Sequence, residues 1–201
     1  MRNKLPFYLI YSRLALAILI IIVSILQMDA YAIWITVLMS IGLITDIFDG
    51  IIARRLQIST EKLRIWDSNV DQFFWISVVA SVFCLRWEYF MTHFFWIMVL
   101  VILELVSYVL SYGKFKKSIA THSLLAKLWT LSLLWFLVDL ILTGTSSISF
   151  VVCVLLGFVS RLEIILIILT LKQWATDVPS LLVVSKINSG KPFKKSRWLN
   201  S

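Results

Sequence analysis

The sequence predicts an all-α integral membrane protein with six transmembrane helices and both termini in the cytoplasm. Two properties of the chain lead to this fold class. Its 201 residues are 60% hydrophobic and only 15% charged, with a mean hydropathy of +0.93, more apolar surface than one soluble core of this size can bury. The apolar residues also fall into runs of about 20, the length that a helix needs to cross a bilayer.

The first three spans are bounded by charged or polar residues. The first, Phe7–Met28, ends before Asp29. A second apolar run, Tyr31–Asp49, follows at once, so we expect the first run to be a retained span and not a cleaved signal peptide. The third, Asp67–Leu85, ends before Arg86. Each is predicted to be a helix because a backbone in lipid must satisfy its own hydrogen bonds.

The last three spans are assigned in the same way. The fourth is Tyr89–Tyr112, which a basic connection follows. The fifth, Ser123–Thr143, ends at the turn-forming sequence GTSS at 144–147. The sixth is Ile148–Leu171. The spans together form a predicted membrane domain over residues 1–171, and residues 172–201 form a basic cytoplasmic tail.

The distribution of basic residues predicts the orientation. All but two of the 19 lysines and arginines lie in or beside the termini and connections on one side of the predicted membrane; the exceptions are Arg86 and Arg161. Under the positive-inside rule this side is cytoplasmic. The chain is therefore predicted to be a multi-pass protein of the cell (inner) membrane, and its net charge of +8 reflects topology, with no nucleic-acid partner. The tail sequence GKPFKKSRW at 190–198 either rests on anionic headgroups or is solvated.

Four aspartates stand at the cytoplasmic ends of spans two and three. Asp46 and Asp49 are three residues apart, and Asp67 and Asp71 are four apart. Both spacings place the two side chains on one face of a helix. We therefore expect the two helix ends to lie side by side and the four carboxylates to converge at the inner edge of the membrane.

Converging carboxylates repel one another, by on the order of 4 kcal/mol for two unit charges about 4 Å apart at an effective dielectric near 20. Mg²⁺ or Mn²⁺ prefers carboxylate oxygen and would offset this repulsion. Four carboxylates suit a pair of such ions, an arrangement typical of phosphoryl transfer. The alternative, in which the aspartates are helix-end acids paired with Arg54, Arg55 and Arg64, accounts for one or two of them but not for two matched pairs.

The stretch from 46 to 71, DIFDGIIARRLQISTEKLRIWDSNVD, resembles the signature of the CDP-alcohol phosphotransferase (phosphatidyltransferase) family. The chain is also similar to the family's bacterial phosphatidylglycerophosphate synthase-like members. Seven of the eight fixed positions match, and the eighth is Leu63, where the signature has glycine. The resemblance implies a homodimeric membrane enzyme of phospholipid biosynthesis. Such enzymes transfer a substituted phosphate from a CDP-linked donor to an alcohol and release CMP, and the donor expected here is CDP-diacylglycerol.

The same resemblance implies a role for each residue of the motif. Asp71 would be the general base as well as a metal ligand. The ligands to two Mg²⁺ or Mn²⁺ ions would be Asp46, Asp49, Asp67 and Asp71. The nucleotide would be bound by Asp46, Gly50, Ala53 and Arg54 at a site that faces the cytoplasm.

A second, weaker motif concerns the acceptor. The sequence KLWT, from Lys127 to Thr130, resembles a Lys-x-x-Thr element of bacterial members that use phosphorylated acceptors. Lys127 and Thr130 are therefore expected to bind the acceptor, and glycerol 3-phosphate is the first candidate. The lysines at 114, 116 and 117 either help to hold the acceptor phosphate or mark a cytoplasmic loop.

A second class of function stays open beside the enzyme. A non-catalytic member, serving as a metal-binding membrane scaffold or a transporter-like subunit, would keep the carboxylates while Leu63 closes the nucleotide site. A transporter would instead distribute acidic groups through the middle of its spans. The clustering of the carboxylates, together with the retained Gly50 and Arg54, favours the enzyme.

Charged residues inside the other spans are functional candidates by default. Arg13 either faces the same cytoplasmic cavity as the aspartates or snorkels to the interface. Arg161 and Glu163, two residues apart, point in different directions, and one of them is expected to meet a partner such as Glu104.

Overall fold

The computed structural model describes residues 5–55, 61–117, 123–175 and 178–190, with the backbone alone at 5–7, 50, 53–55 and 61–64. Every regular element in these ranges is an α-helix. In chain order the helices are α1 (Leu5–Leu26), α2 (Tyr31–Arg55), α3 (Glu61–Leu85), α4 (Trp87–Thr92), α5 (Phe94–Phe115), α6 (Leu124–Thr143), α7 (Ile148–Thr170) and α8 (Leu181–Asn188).

Within the described ranges, six helices are long and apolar enough to cross a membrane: α1, α2, α3, α5, α6 and α7. Their surfaces carry large exposed hydrophobic side chains, such as Ile25, Phe95 and Val109. Such surfaces suit a lipid environment, where apolar side chains can face hydrocarbon and need not be buried inside the protein. The predicted all-α fold with six membrane-spanning helices is thus confirmed, while the orientation of the termini stays a prediction.

The fourth span begins later than the sequence predicts. The chain forms the short helix α4, breaks at His93 and starts α5 at Phe94, whereas we predicted one span from Tyr89. Contacts with α6 and with the segment that follows it hold the separate helix in place. The Tyr89 hydroxyl donates to the carbonyl oxygen of Ser146 at 2.5 Å, and the ring of Phe90 packs near that of Phe136.

The chain divides into two compact units. The first comprises residues 1–92 and 134–146, and the second comprises 93–133 and 147–201. Helix α6 therefore begins in the second unit and ends in the first. The predicted aspartate cluster belongs to the first unit, and the Lys127–Thr130 element belongs to the second.

In the first unit, α1 packs against both α2 and α3, and the direct contact of α2 with α3 is smaller. One point of that direct contact depends on Gly42, since a Cβ atom there would lie 2.2 Å from Cζ of Phe74. Gly42 lies four residues before Asp46, and Phe74 lies three residues after Asp71. This close approach thus lies about one helical turn from the predicted site on both helices.

In the second unit, α5 packs against α7, and both helices bury small residues. Ser107 and Ser111 of α5 and Gly157 and Ser160 of α7 are all buried. Small residues let two helix backbones approach closely, which is how helices associate inside a membrane.

The predicted tail, residues 172–201, contains α8. Val184 of α8 is buried against Ile167 and Leu171, and Asn188 donates to the carbonyl oxygen of Thr170 at 2.9 Å. This helix therefore covers the end of α7. The basic patch predicted at 190–198 lies, apart from Gly190, outside the described residues.

The second unit also holds an ion pair in which Arg161 is buried and Glu104 is half-buried. Arg161 Nε lies 2.6 Å from Glu104 Oε2, and the guanidinium lies 4.3 Å from the centroid of the Trp129 ring. Glu163 points elsewhere and accepts a hydrogen bond from the backbone N–H of Leu181. The predicted contact between α7 and Glu104 is confirmed.

Removing one partner of this pair should cost more than removing both. Arg161→Leu is expected to lower the free energy of unfolding by about 3 kcal/mol, because it leaves the Glu104 charge in an apolar environment. The double variant Arg161→Leu/Glu104→Leu should regain most of that loss. Thermal unfolding in detergent compares the stability of both variants with that of the natural chain. A double variant no more stable than Arg161→Leu alone would show that the two charges do not interact energetically.

Candidate active site

The four aspartates lie on regular backbone inside two continuous helices. Helix α2 continues for six residues beyond Asp49 to Arg55, and α3 begins at Glu61, six residues before Asp67. Helical spacing then places each pair on one face of its helix, as predicted.

Their carboxylates converge. Ligand atoms of Asp46, Asp49 and Asp67 all lie within 4.8 Å of one another. Asp49 and Asp67 are buried, whereas the side chains of Asp46 and Asp71 are 36% and 22% exposed. The cluster therefore has a closed side and an open side, as a site that admits a ligand requires.

Helix α1 supplies a residue for which the sequence left two positions open, the cytoplasmic cavity and the membrane interface. The guanidinium of Arg13 lies among the carboxylates: Nη1 donates to Asp46 Oδ1 at 3.0 Å, and the terminal nitrogens also pair with Asp49, Asp67 and Asp71. The Arg13 side chain is 0% exposed, so it faces the cavity and does not snorkel to the interface.

The position of Arg13 follows from helical periodicity. Ile10, Ala17 and Ile20, at intervals of three and four residues, are buried along the same stripe of α1. Because α1 packs against both α2 and α3, this stripe faces the space where the aspartates meet. The signal available in the sequence was the one basic residue within the apolar run of α1.

Among the side chains that the structure describes, the charges in the cluster do not balance. One guanidinium carries a single positive charge and faces four carboxylates, and each pair at about 4 Å interacts by on the order of 4 kcal/mol at an effective dielectric near 20. The excess is negative, and all the donor atoms are carboxylate oxygens, the ligands that Mg²⁺ and Mn²⁺ prefer. The chemistry and spacing of these residues therefore fit divalent cations.

The predicted nucleotide residues are only partly described. Gly50, Ala53 and Arg54 lie on the turns of α2 that follow Asp49, and Leu63 lies near the start of α3. Their side chains are outside the described part of the chain, as are those of Arg55 and Arg64. The backbone places all of them on the same two helices as the aspartates.

The predicted acceptor residues lie near the start of α6. The Thr130 hydroxyl donates to the carbonyl oxygen of Ala126 at 3.0 Å. Lys114 is one of the lysines that either help to hold the acceptor phosphate or mark a cytoplasmic loop. It donates from Nζ to the carbonyl oxygens of Ile168 and Leu169, at 2.9 and 2.7 Å. Lys114 therefore satisfies the end of α7, and the roles of Lys127 and Thr130 stay predictions.

Comparison with known proteins identifies the family. The sequence model of the CDP-alcohol phosphatidyltransferase family matches residues 3–171, which include every helix from α1 to α7. No curated protein and no solved structure matches the chain. The family match covers most of the 201 residues and includes the aspartate cluster. The chain belongs to the CDP-alcohol phosphatidyltransferase family.

Proposed function

We propose that the protein transfers the phosphatidyl group of CDP-diacylglycerol to an alcohol and releases CMP, at the cytoplasmic face of the membrane. Membership of the family supports the transfer of a phosphatidyl group from a CDP-alcohol to an acceptor. The observation that carries the proposal is the convergence of four carboxylates from α2 and α3 on one partly open cluster.

The proposed reaction needs one proton transfer and one exchange at phosphorus. The carboxylate of Asp71 accepts the proton of the acceptor hydroxyl. The hydroxyl oxygen forms a bond to the phosphorus that carries the lipid, and the bond from that phosphorus to the bridging oxygen breaks, so that CMP leaves with the bonding electrons. Asp71 suits this role because its side chain is more exposed than that of Asp67, the other aspartate of α3.

The other aspartates serve binding. Asp46, Asp49 and Asp67, with Asp71, would hold two Mg²⁺ or Mn²⁺ ions. Such ions, when bound, neutralise the negative charge of a diphosphate. The aspartates lie on α2 and α3, and α1 packs against both of these helices. Fixed positions of the aspartates would hold the reactants in line.

The remaining roles concern the two substrates. The cytidine nucleotide would lie along the turns of α2 that carry Gly50, Ala53 and Arg54, where an arginine fork suits a phosphate. Lys127 and Thr130 would bind a phosphorylated acceptor, with glycerol 3-phosphate as the first candidate. The basic connections support the cytoplasmic orientation.

The test is CMP release by the purified full-length protein in detergent. CDP-diacylglycerol and Mn²⁺ or Mg²⁺ are supplied with glycerol 3-phosphate, inositol phosphate, serine or inositol, each in a separate assay. We expect release that depends on both the metal and one acceptor. Release without any acceptor would instead indicate hydrolysis.

Leu63→Gly separates the enzyme from the non-catalytic alternative. If the natural chain releases no CMP with any acceptor and Leu63→Gly does, the nucleotide site is closed by the leucine and the proposed activity is wrong for this chain. If the natural chain is active, Leu63→Gly should chiefly change the KM for the donor.

A further inference from the structure

Arg13 contacts every aspartate to which the proposed function assigns the divalent ions. Its Nη1 pairs with Asp46 and Asp71, and its Nη2 pairs with Asp49 and Asp67. We propose that the Arg13 guanidinium and the divalent cations are alternative partners of these carboxylates, so that Arg13 holds the metal ligands together and competes with the metal for them.

The first step of the argument is that the carboxylates hold this guanidinium. Arg13 is 0% exposed, and its Nε has no hydrogen-bond partner among the described residues. Both terminal nitrogens are directed at carboxylates drawn from two different helices. A guanidinium offers a planar fork of five donors, and one that is bound in this way joins α2 to α3 through α1.

The second step is that the two kinds of cation exclude each other. Arg13 donates to Oδ1 of Asp46, Oδ2 of Asp49 and Oδ1 of Asp67. An ion that takes these three carboxylates as ligands lies within contact distance of the guanidinium, and its double positive charge repels the charge of Arg13. The guanidinium must therefore withdraw at least partly when the metal binds. This step rests on the proposed function, which assigns the metal to these carboxylates.

The test measures binding of Mn²⁺ alone to the full-length protein, with no CDP-lipid present. The electron paramagnetic resonance signal of free Mn²⁺ gives the Kd for the natural chain and for Arg13→Gln. Removing one unit charge at contact distance should tighten Mn²⁺ binding on the order of tenfold to a hundredfold. The melting temperature of Arg13→Gln should fall without Mn²⁺, because four carboxylates then repel, and Mn²⁺ should raise it by more than it raises that of the natural chain.

Arg86→Gln is the matched control. Arg86 lies in the same unit and donates to the carbonyl oxygens of Leu140 and Ile141, at 3.3 and 2.7 Å. Its loss should lower the melting temperature equally with and without Mn²⁺ and leave the Kd unchanged. Arg13→Lys keeps one charge but not the fork, so its Kd should lie between those of the natural chain and Arg13→Gln.

The outcomes separate this inference from the proposed function. If the natural chain binds Mn²⁺ and Arg13→Gln binds it equally or more weakly, Arg13 does not compete and the inference is overturned, whereas the metal site stands. If neither protein binds Mn²⁺, the metal site of the proposed function fails as well. An Arg13→Gln protein that stays unfolded in saturating Mn²⁺ would also overturn the inference, because the metal should replace the guanidinium as the partner of the carboxylates.

Discussion

Asp71→Asn should lower the rate of CMP release on the order of 10³-fold while leaving the protein folded. Asparagine keeps the shape of the side chain but cannot accept the proton of the acceptor hydroxyl, and general base catalysis contributes about 10²–10⁴-fold. Arg13 keeps three carboxylate partners in this variant, so we expect a melting temperature close to that of the natural chain. Steady-state assays of kcat and KM, beside thermal unfolding, measure the two effects.

Asp139→Asn is the control for this experiment. Asp139 lies near the end of α6 in the same unit and belongs to no group in the proposed site. The same change of charge there should leave kcat within about twofold, as expected for a position away from the chemistry. Asp71→Asn activity within tenfold of the natural chain would rule out Asp71 as the base. A change confined to the metal requirement would make Asp71 a ligand only.

Gly42→Ala should destabilise the first unit and abolish activity although it touches no aspartate. The new methyl group would stand 2.2 Å from Cζ of Phe74, a side chain that is only 1% exposed. Overpacking of this kind costs about 1–3 kcal/mol. Because Gly42 and Phe74 lie about one turn from Asp46 and Asp71, separating α2 from α3 there would also spread the carboxylates.

Gly113→Ala provides the same substitution without the clash. A Cβ atom at Gly113, in α5, meets nothing within 4 Å, so alanine should leave the melting temperature unchanged or raise it through its better helix propensity. The comparison of the two variants by thermal unfolding and by Mn²⁺ affinity isolates the effect of close packing. If Gly42→Ala has the same melting temperature as Gly113→Ala, the contact with Phe74 does not hold the helices together.

The sequence was sufficient for features that depend on spacing within one helix. Asp46 and Asp49 share a face because of helical geometry, and so do Asp67 and Asp71, wherever the helices pack. The pairing of Arg161 with Glu104 was also predictable, since few charged residues are available inside the spans to satisfy each other. The metal, nucleotide and acceptor roles stay predictions that the experiments above test.

Other features that depend on packing between helices were not predictable. Helix α1 is apolar over most of its length, so its sequence does not decide whether Arg13 faces the other helices or the membrane interface. The break at His93 is held by contacts of Tyr89 and Phe90 with distant residues, and no proline or glycine marks it. Helix α8 is too short to give a clear periodic signal.

The uninterrupted course of α2 and α3 past the carboxylates has a mechanical consequence. Six residues of helix span about 9 Å, and no described residue between Asp49 and Arg55, or between Glu61 and Asp67, breaks the helical backbone. Sharp kinks need a local cause such as a proline or a bulge, so each of these stretches is expected to move as one segment. A displacement at one end of either stretch would therefore reach the aspartates at its other end. A nucleotide that binds the turns of α2 after Asp49 would move the aspartate side chains as it moves those turns. Binding of the donor and the geometry of the metal ligands are therefore expected to change together.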